Sequence, residues 1–250
     1  MRAIDHHAWT NRWRDRHPAE KLIPALGLLG VVLVLPPLAA APLALAVAVV
    51  ATVFGAGVPL RALLGIMAAP ALFLLAGAPF LAVSLEFAEG IALRCSPEGA
   101  RLALAATLRA LAAVSCLAFL TLTTPVVDWT PLLRRIKVPA GVIELILLVY
   151  RLIFVFAERA STGQRAQAAR LGYARFDRSL RSLGLLAGNL FQRGLEQARR
   201  MEIGLTARGY TGELRVLRAA QPLSWARLAL GLLGVGLVGM ASGLLARALP

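Results

Sequence analysis

Long apolar stretches, separated by short polar or Pro- and Gly-rich breaks, dominate the chain. About 20 predominantly apolar residues carry a helix across a membrane, and slightly fewer suffice where a tight turn follows. The pattern predicts five such spans, at 22–35, 38–54, 63–85, 102–123 and 223–245. We therefore expect an all-α, multi-pass membrane helix bundle.

The stretch 139–157 is apolar enough to be a sixth span, but its charges favour another placement. Glu144, Arg151 and Glu158 recur every seven residues, so they share one face of a helix. A crossing here would also carry the Arg-rich segment that follows to the outside, against the positive-inside rule. We expect a partly embedded connector helix, and the alternative is an ordinary sixth span with a buried Glu–Arg pair.

The pattern after this stretch is helical but amphipathic. Residues 158–176 are polar and Arg-rich, and over 179–206 leucines recur at helical spacing against polar positions. Such a helix is about 40 Å long at 1.5 Å per residue. The predicted division of the chain is a cytoplasmic N-terminal segment (1–21), a bundle of four spans (22–123), a connector with cytosolic or interfacial helices (124–221) and a C-terminal span (222–250).

Composition and charge support a membrane protein and exclude a disordered chain. Hydrophobic residues make up 58% of the sequence and charged residues 16%, and 27 Lys and Arg against 13 Asp and Glu give a net charge of +14. Over 151–218 there are 13 arginines and 5 acidic residues, so more than half of the net charge lies there. A basic segment between apolar spans favours a cytoplasmic membrane surface or an acidic protein partner over nucleic acid. The N-terminal segment is basic as well, with Arg2, Arg12, Arg14, Arg16 and Lys21, so we place the N-terminus inside, and the spans that follow put the loop near 86–101 outside.

A short Ala-Arg signal occurs twice. The first tip (residues 168–173) reads Ala-Ala-Arg-Leu-Gly-Tyr, and the second tip (206–210) reads Thr-Ala-Arg-Gly-Tyr. Arg in a last helical turn is favoured by the helix dipole, and a following Gly takes a left-handed cap. One copy alone is an ordinary way to end a helix, but two copies around one long amphipathic helix predict paired docking contacts.

These residues resemble the transmembrane coupling (T) component of energy-coupling factor transporters, in its cobalt and nickel branch, the CbiQ-type family. The resemblance covers nearly the whole chain. It is carried by these segments: Ile4 and Asp5, residues 11–14, Pro18 and Lys21, residues 56–61, residues 131–139, residues 150–154, Glu158 and the two tips.

The resemblance implies a non-enzymatic subunit that works with two cytosolic ATP-binding-cassette ATPases and a membrane substrate-binding subunit in the bacterial inner membrane. ATP and Mg²⁺ would be bound by the ATPases, and the transported Co²⁺ or Ni²⁺ by the substrate-binding subunit. The implied ATPase-coupling residues are Ala169, Arg170, Leu171, Gly172, Ala207, Arg208 and Gly209. The two arginines would anchor the tips in the ATPases, the two alanines would let the ATPase surface approach closely, and Gly172 and Gly209 would cap the ends of the helices. Leu171 departs from the family's Ala-Arg-Gly form.

Other functions have less support in the sequence. No stretch reads G-x-x-x-x-G-K-[ST], so we expect no ATP hydrolysis by this chain itself. His6, His7 and His17 are the only histidines, and we expect no bound metal. The alternatives are a T component for another micronutrient, such as a vitamin, and a membrane-embedded enzyme, for which Glu86 and Glu89 lack a nearby His.

Overall fold

The computed structural model describes residues 2–86, 92–95, 97–210 and 222–248. Over these ranges the α-helices are Arg2–Thr10 (α1), Pro18–Val34 (α2), Pro37–Val50 (α3), Leu60–Ala82 (α4), Pro97–Thr123 (α5), Thr130–Arg135 (α6), Ala140–Ala169 (α7), Phe176–Thr206 (α8) and Trp225–Ala248 (α9). A π-helical turn, Ala51–Gly55, extends α3, and a 3₁₀ turn, Val126–Trp129, follows α5.

The predicted helical membrane bundle is confirmed, and one small sheet is added to it. Strands Val83–Glu86 (β1) and Ala92–Cys95 (β2) pair antiparallel, with Val83 opposite Cys95. Strand β2 lies in the loop predicted to face outside, whereas β1 occupies the end of the predicted span 63–85, so that span is shorter than predicted. The hydrophobic pattern did not indicate them, because four-residue strands carry too few positions for a recognisable alternation. Glu89, considered for the enzyme alternative, lies outside the described residues.

Five helices of the described chain are long and apolar enough to cross a membrane: Pro37–Gly55, Leu60–Leu81, Pro97–Thr123, Ala140–Ala169 and Trp225–Arg247. The number of candidate spans matches the prediction, but the set differs: α7 is among the five, whereas the predicted span 22–35, which lies in α2, is not. Helix α7, predicted as a connector over 139–157, has the length and composition of a span and continues unbroken to Ala169. Helix α2 has 17 residues, at the short end of what spans a bilayer. The chain is a multi-pass membrane protein.

Two compact units are formed by Met1–Trp129 with Ala219–Pro250 and by Thr130–Arg218. We call them the membrane unit and the tip unit. The predicted division into four parts describes which segments cross the membrane and which do not. The two units do not test this placement, so it stays a prediction.

Small residues let the helices of the membrane unit pack closely. Alanines of α3 and α5, among them Ala44 and Ala112, are fully buried in one apolar cluster. At the α2–α9 contact an added Cβ on Gly231 would lie 2.6 Å from Pro24 Cγ, so only glycine fits there. Close backbone approach through Ala and Gly is typical of packed membrane helices.

The tip unit is built on an antiparallel pair of long helices, α7 and α8. Gly194 of α8 lies against Phe156 of α7, and Gly163 of α7 lies against Leu186 of α8. Arg159 of α7 also donates a hydrogen bond to Gln197 of α8, at 3.3 Å. The amphipathic helix predicted over 179–206 is confirmed as α8, whose residues are all exposed or half-buried.

Candidate functional site

The first tip ends α7 with a Schellman cap. Gly172 N–H donates to Gln167 O at 2.9 Å, and Leu171 N–H donates to Ala168 O at 3.0 Å. These are the two bonds that define the motif, and they require a left-handed residue between the helix and the second donor. Leu171 is that residue, with φ of 58°.

The second tip ends α8 in the same way. Tyr210 N–H donates to Leu205 O at 3.1 Å, and Gly209 N–H donates to Thr206 O at 3.0 Å. Gly209 is the left-handed residue, with φ of 73°. In the two caps Arg170 therefore corresponds to Arg208, and Leu171 corresponds to Gly209.

This register corrects the predicted role of Gly172, which was expected to take the left-handed cap. The left-handed residue is Leu171, one position earlier. Gly172 is required for space instead, because a Cβ there would lie 2.8 Å from Ser182 Oγ and 2.9 Å from Gln167 O. The glycine nearest the Arg is not always the one with positive φ, which is why the repeat alone misplaced the cap.

Side chains fix the first tip against the start of α8. Tyr173 OH donates to Gln167 Oε1 at 2.6 Å, and Gln167 Nε2 donates to Ser182 O at 3.0 Å. Ser182 Oγ in turn donates to Gly172 O at 2.9 Å. This chain of bonds joins the last turn of α7, the loop and α8, so the tip is held in one shape before any partner arrives.

The second tip is fixed by its tyrosine. Tyr210 OH donates to Glu144 Oε2 at 2.7 Å, which ties the end of α8 to the first turns of α7. The hydrogen bond to the Glu144 carboxylate also raises the pKa of Tyr210. Glu144, predicted on the charged stripe of the connector, is buried, whereas Arg151 and Glu158 are exposed.

The predicted contact residues of both tips are open to partners. Ala169, Arg170, Ala207 and Arg208 are exposed, and Leu171 is 67% exposed. Within the described ranges neither tip arginine forms an ion pair or a side-chain hydrogen bond. A guanidinium in this state can donate two parallel hydrogen bonds to a carboxylate of another protein.

A network at the N-terminal segment was missed by the sequence reasoning. Lys21 is 1% exposed, and its Nζ donates to Trp13 O at 2.8 Å and to Thr123 O at 2.9 Å. Arg14 Nη1 pairs with the buried Asp128 carboxylate at 2.8 Å. Both cations belong to the basic N-terminal segment that the positive-inside rule places in the cytoplasm, and nothing in the hydrophobic pattern indicates their burial. The polar residues at the end of α5, at 123–128, are the signal that could have found them.

Metal-ligating side chains form no group of three or more within the described ranges. The His6 and His7 rings contact each other edge to face, with centroids 5.8 Å apart. His17 Nδ1 accepts the backbone N–H of Ala19 at 3.1 Å, which places it as the cap at the start of α2.

Exchanging the left-handed residues tests the equivalence of the two caps. Gly209→Leu places a side chain at positive φ, which destabilises the cap by about 1 kcal/mol and speeds amide exchange over 205–210 roughly fivefold. Leu171→Gly relieves the same strain but loses backbone entropy, so it changes exchange at the first tip less than twofold. Hydrogen–deuterium exchange with mass spectrometry measures both.

Gly204→Leu is the matched control, because Gly204 lies in the helical part of α8 and an added Cβ there meets nothing within 4 Å. It stabilises the helix and slows exchange. Faster exchange in both the Gly204 and Gly209 variants would contradict the cap assignment.

Comparisons with known proteins agree on one family. The model of the CbiQ family, described as a cobalt transport protein, matches residues 10–217. The chain is 43% identical over 224 residues to the cobalt transport protein CbiQ of Rhodobacter capsulatus, covering 88% of this chain and 91% of that protein.

Two further relatives match over shorter segments. The chain is 34% identical over 108 residues to CbiQ of Salmonella typhimurium, which is 43% of this chain and 48% of that protein. It is 38% identical over 104 residues to a Methanocorpusculum labreanum protein named as a fused cobalt transport protein, CbiMQ, which is 42% of this chain and 17% of that protein.

Proposed function

The chain belongs to the CbiQ family of cobalt transport proteins, and from this we propose that it is the transmembrane coupling (T) subunit of an energy-coupling factor transporter for cobalt or nickel. As a family member it is a membrane component of cobalt transport. The proposal adds that the two tips bind ATPase subunits. The observation that carries it is the pair of equivalent, exposed arginines, unpaired within the part of the chain that the structure describes, on caps with the same hydrogen-bond pattern.

The length of α8 supports binding to two separate subunits. The first tip precedes α8 and the second tip follows it, and α8 has 31 residues, about 46 Å at 1.5 Å per residue. Contacts so far apart on one rigid element suit two neighbouring ATPases rather than two grooves of one small domain. Each arginine would bind a carboxylate, and the exposed Ala169 and Ala207 would let the partner surface come close.

The hydrogen bonds around the tips support transmission of movement. ATP-driven closure of the ATPase pair would push on both ends of α8, and the Gln167, Ser182 and Tyr210 bonds prevent the tips from yielding locally. The movement would therefore pass into α7 and α8 as whole helices and on to the substrate-binding subunit. The tips and the contact with the substrate-binding subunit would then be two sites coupled through the open and closed states of the ATPase pair, as an allosteric mechanism requires.

Chemistry and cargo belong to the partners in this proposal. ATP and Mg²⁺ are bound by the ATPases, Co²⁺ or Ni²⁺ by the membrane substrate-binding subunit, and this chain is non-catalytic. The fused name of the Methanocorpusculum relative, CbiMQ, supports a second component that works together with the CbiQ part. The proposed location is the inner membrane, with the N-terminus and both tips in the cytoplasm, in agreement with the basic N-terminal segment and the 13 arginines of 151–218.

Site-directed cross-linking tests the proposed ATPase contacts. Ala169→Cys and Ala207→Cys, each in a chain without its native cysteines, are expected to cross-link to a co-expressed ATPase through a short thiol-to-amine reagent. ATP with vanadate, which traps closed ATPases, is expected to change the yield at both positions together, because both tips follow one closure.

Arg61→Cys is the matched control, since Arg61 is exposed and is predicted to face the same side of the membrane. It should give no ATPase adduct. Equal yields at all three positions, or none at either tip, would contradict the coupling proposal and leave only a membrane component of cobalt transport.

A further inference from the structure

The membrane unit contains a cavity of about 460 Å³. It lies among the N-terminal parts of α2 and α9 and the C-terminal parts of α3 and α5. These four helix ends belong to one face of the bundle, because α2 and α9 run away from that face while α3 and α5 return to it. The cavity is within the size range of small-molecule sites.

The inner part of the cavity is apolar. Its walls are provided mainly by Leu28, Val47, Phe119, Leu230 and Val235. Along α2 the lining runs from Glu20 to Leu28 and along α9 from Ala226 to Val235, which is about 12 to 14 Å of helix rise. One leaflet contributes about 15 Å of the roughly 30 Å hydrocarbon core, so the cavity is nearly as deep as the acyl-chain layer of one leaflet.

The mouth of the cavity carries an excess of positive charge. Arg16, Lys21 and Arg227 line it against one carboxylate, Glu20. The Lys21 ammonium group already donates hydrogen bonds to two backbone carbonyls. Glu20 accepts the Ser224 N–H at 2.7 Å and pairs with Arg227 at only 3.4 Å.

Two arginines at the mouth therefore share one carboxylate. The Arg16 guanidinium lies over the Trp13 ring, 4.3 Å from its centroid, and the Arg227 side chain is 51% exposed. Burial and then the nearby Arg227 charge lower the pKa of Arg16. An anion between the two guanidinium groups would offset this repulsion.

We propose that this cavity is a binding site for an anionic phospholipid, with one acyl chain in the apolar part and the headgroup phosphate between Arg16 and Arg227. Planar, forked guanidinium groups are suited to phosphate oxygens. Basic pockets between membrane helices that open at the headgroup level recognise anionic lipids. A zwitterionic lipid would fill the apolar part equally well but would gain less from the excess charge at the mouth.

Native mass spectrometry of the full-length chain, delipidated in detergent, tests this site. Phosphatidylglycerol and phosphatidylcholine with identical acyl chains are added in parallel. We expect at least tenfold tighter binding of the first phosphatidylglycerol molecule. Equal affinities would overturn the proposal, and this comparison does not depend on the folding of any variant.

Two pairs of variants locate the site. Gly234 lines the cavity and an added Cβ there meets nothing within 4 Å, so Gly234→Leu should fill the cavity and remove the tight binding event. Gly236→Leu, on the same helix, also meets nothing within 4 Å and lies outside the lining, so it should bind as the wild type does.

Arg16→Gln with Arg227→Gln should erase the lipid preference, whereas Arg247→Gln at the other end of α9 should keep it.

Tight binding that survives Gly234→Leu, or a preference that survives the double arginine change, would place the lipid elsewhere and overturn the assignment. The site does not depend on ATPase coupling. Failure of the tip cross-links and failure of lipid binding are therefore distinguishable.

Discussion

Charge reversal at both tips, Arg170→Glu with Arg208→Glu, is expected to reduce cobalt uptake more than 100-fold while the chain still accumulates in the membrane. Truncating one partner of a buried, hydrogen-bonded charge pair weakens binding by about 2–5 kcal/mol, and reversal adds repulsion from the facing carboxylate. Two such losses exceed the 2.7 kcal/mol that corresponds to a factor of 100. Uptake of radioactive cobalt by cells that express the complete transporter measures the effect, and co-purified ATPase reports its cause.

Folding should not be affected by this change, because both arginines are exposed and unpartnered within the described ranges. The matched control is Arg181→Glu with Arg193→Glu, which changes the net charge equally on the exposed surface of α8. We expect this control to retain at least half of the wild-type uptake. If control and tip variants lose uptake equally, the effect is one of overall charge and the tips are ordinary helix ends.

Replacing the buried lysine of the membrane unit, Lys21→Met, is expected to lower the free energy of unfolding by about 3 kcal/mol. The methionine preserves the apolar stem but leaves the carbonyl of Trp13 without the lysine donor and weakens the position of the α5 end at Thr123. A hydrogen bond from a charged group contributes about 1.5–3 kcal/mol, and a buried acceptor that loses its donor adds a desolvation penalty.

Thermal unfolding in detergent measures this loss. Cys116 is buried, so its labelling by a thiol-reactive dye reports unfolding in a chain whose Cys95 is replaced by serine. Arg61→Met is the matched control, because it removes an exposed cation of the same unit and should shift the midpoint by no more than a degree or two. Equal shifts in the two variants would show that Lys21 acts only as a surface charge.

The sequence predicted the helices well because their signals are long. Apolar stretches of about 20 residues and a 28-residue amphipathic pattern each contain many independent positions, so a few exceptions do not hide the period. The predicted ends were less accurate for the connector: charged residues from Glu158 onward suggested a break, yet α7 continues to Ala169. A helix can change from an apolar to a polar surface without ending, since the backbone hydrogen bonds do not depend on which solvent the side chains meet.

The contacts that fix the site were less accessible to sequence reasoning. The tips were found from a repeat, but their register depends on which residue takes positive φ, and leucine is a poor candidate for that conformation. The roles of Lys21 and Asp128 depend on partners about 100 residues away in the chain. A charged residue beside an apolar stretch looks the same in sequence whether it faces water or a buried carbonyl.

The residue that follows each tip arginine has a further consequence for symmetry. A single chain that bridges two identical ATPase subunits cannot present identical ends, because one tip follows α7 and the other follows α8. In this chain the two tips also differ in the residue that follows the arginine. The first tip has an exposed leucine side chain there, and the second has Gly209, which has no side chain. Two copies of one ATPase, bound as proposed, would then meet one tip with an added apolar side chain and one tip without it, and would differ in affinity for their ends of the same helix. Under the proposed function, Leu171 is therefore expected to set which of two identical ATPase subunits holds its tip more tightly.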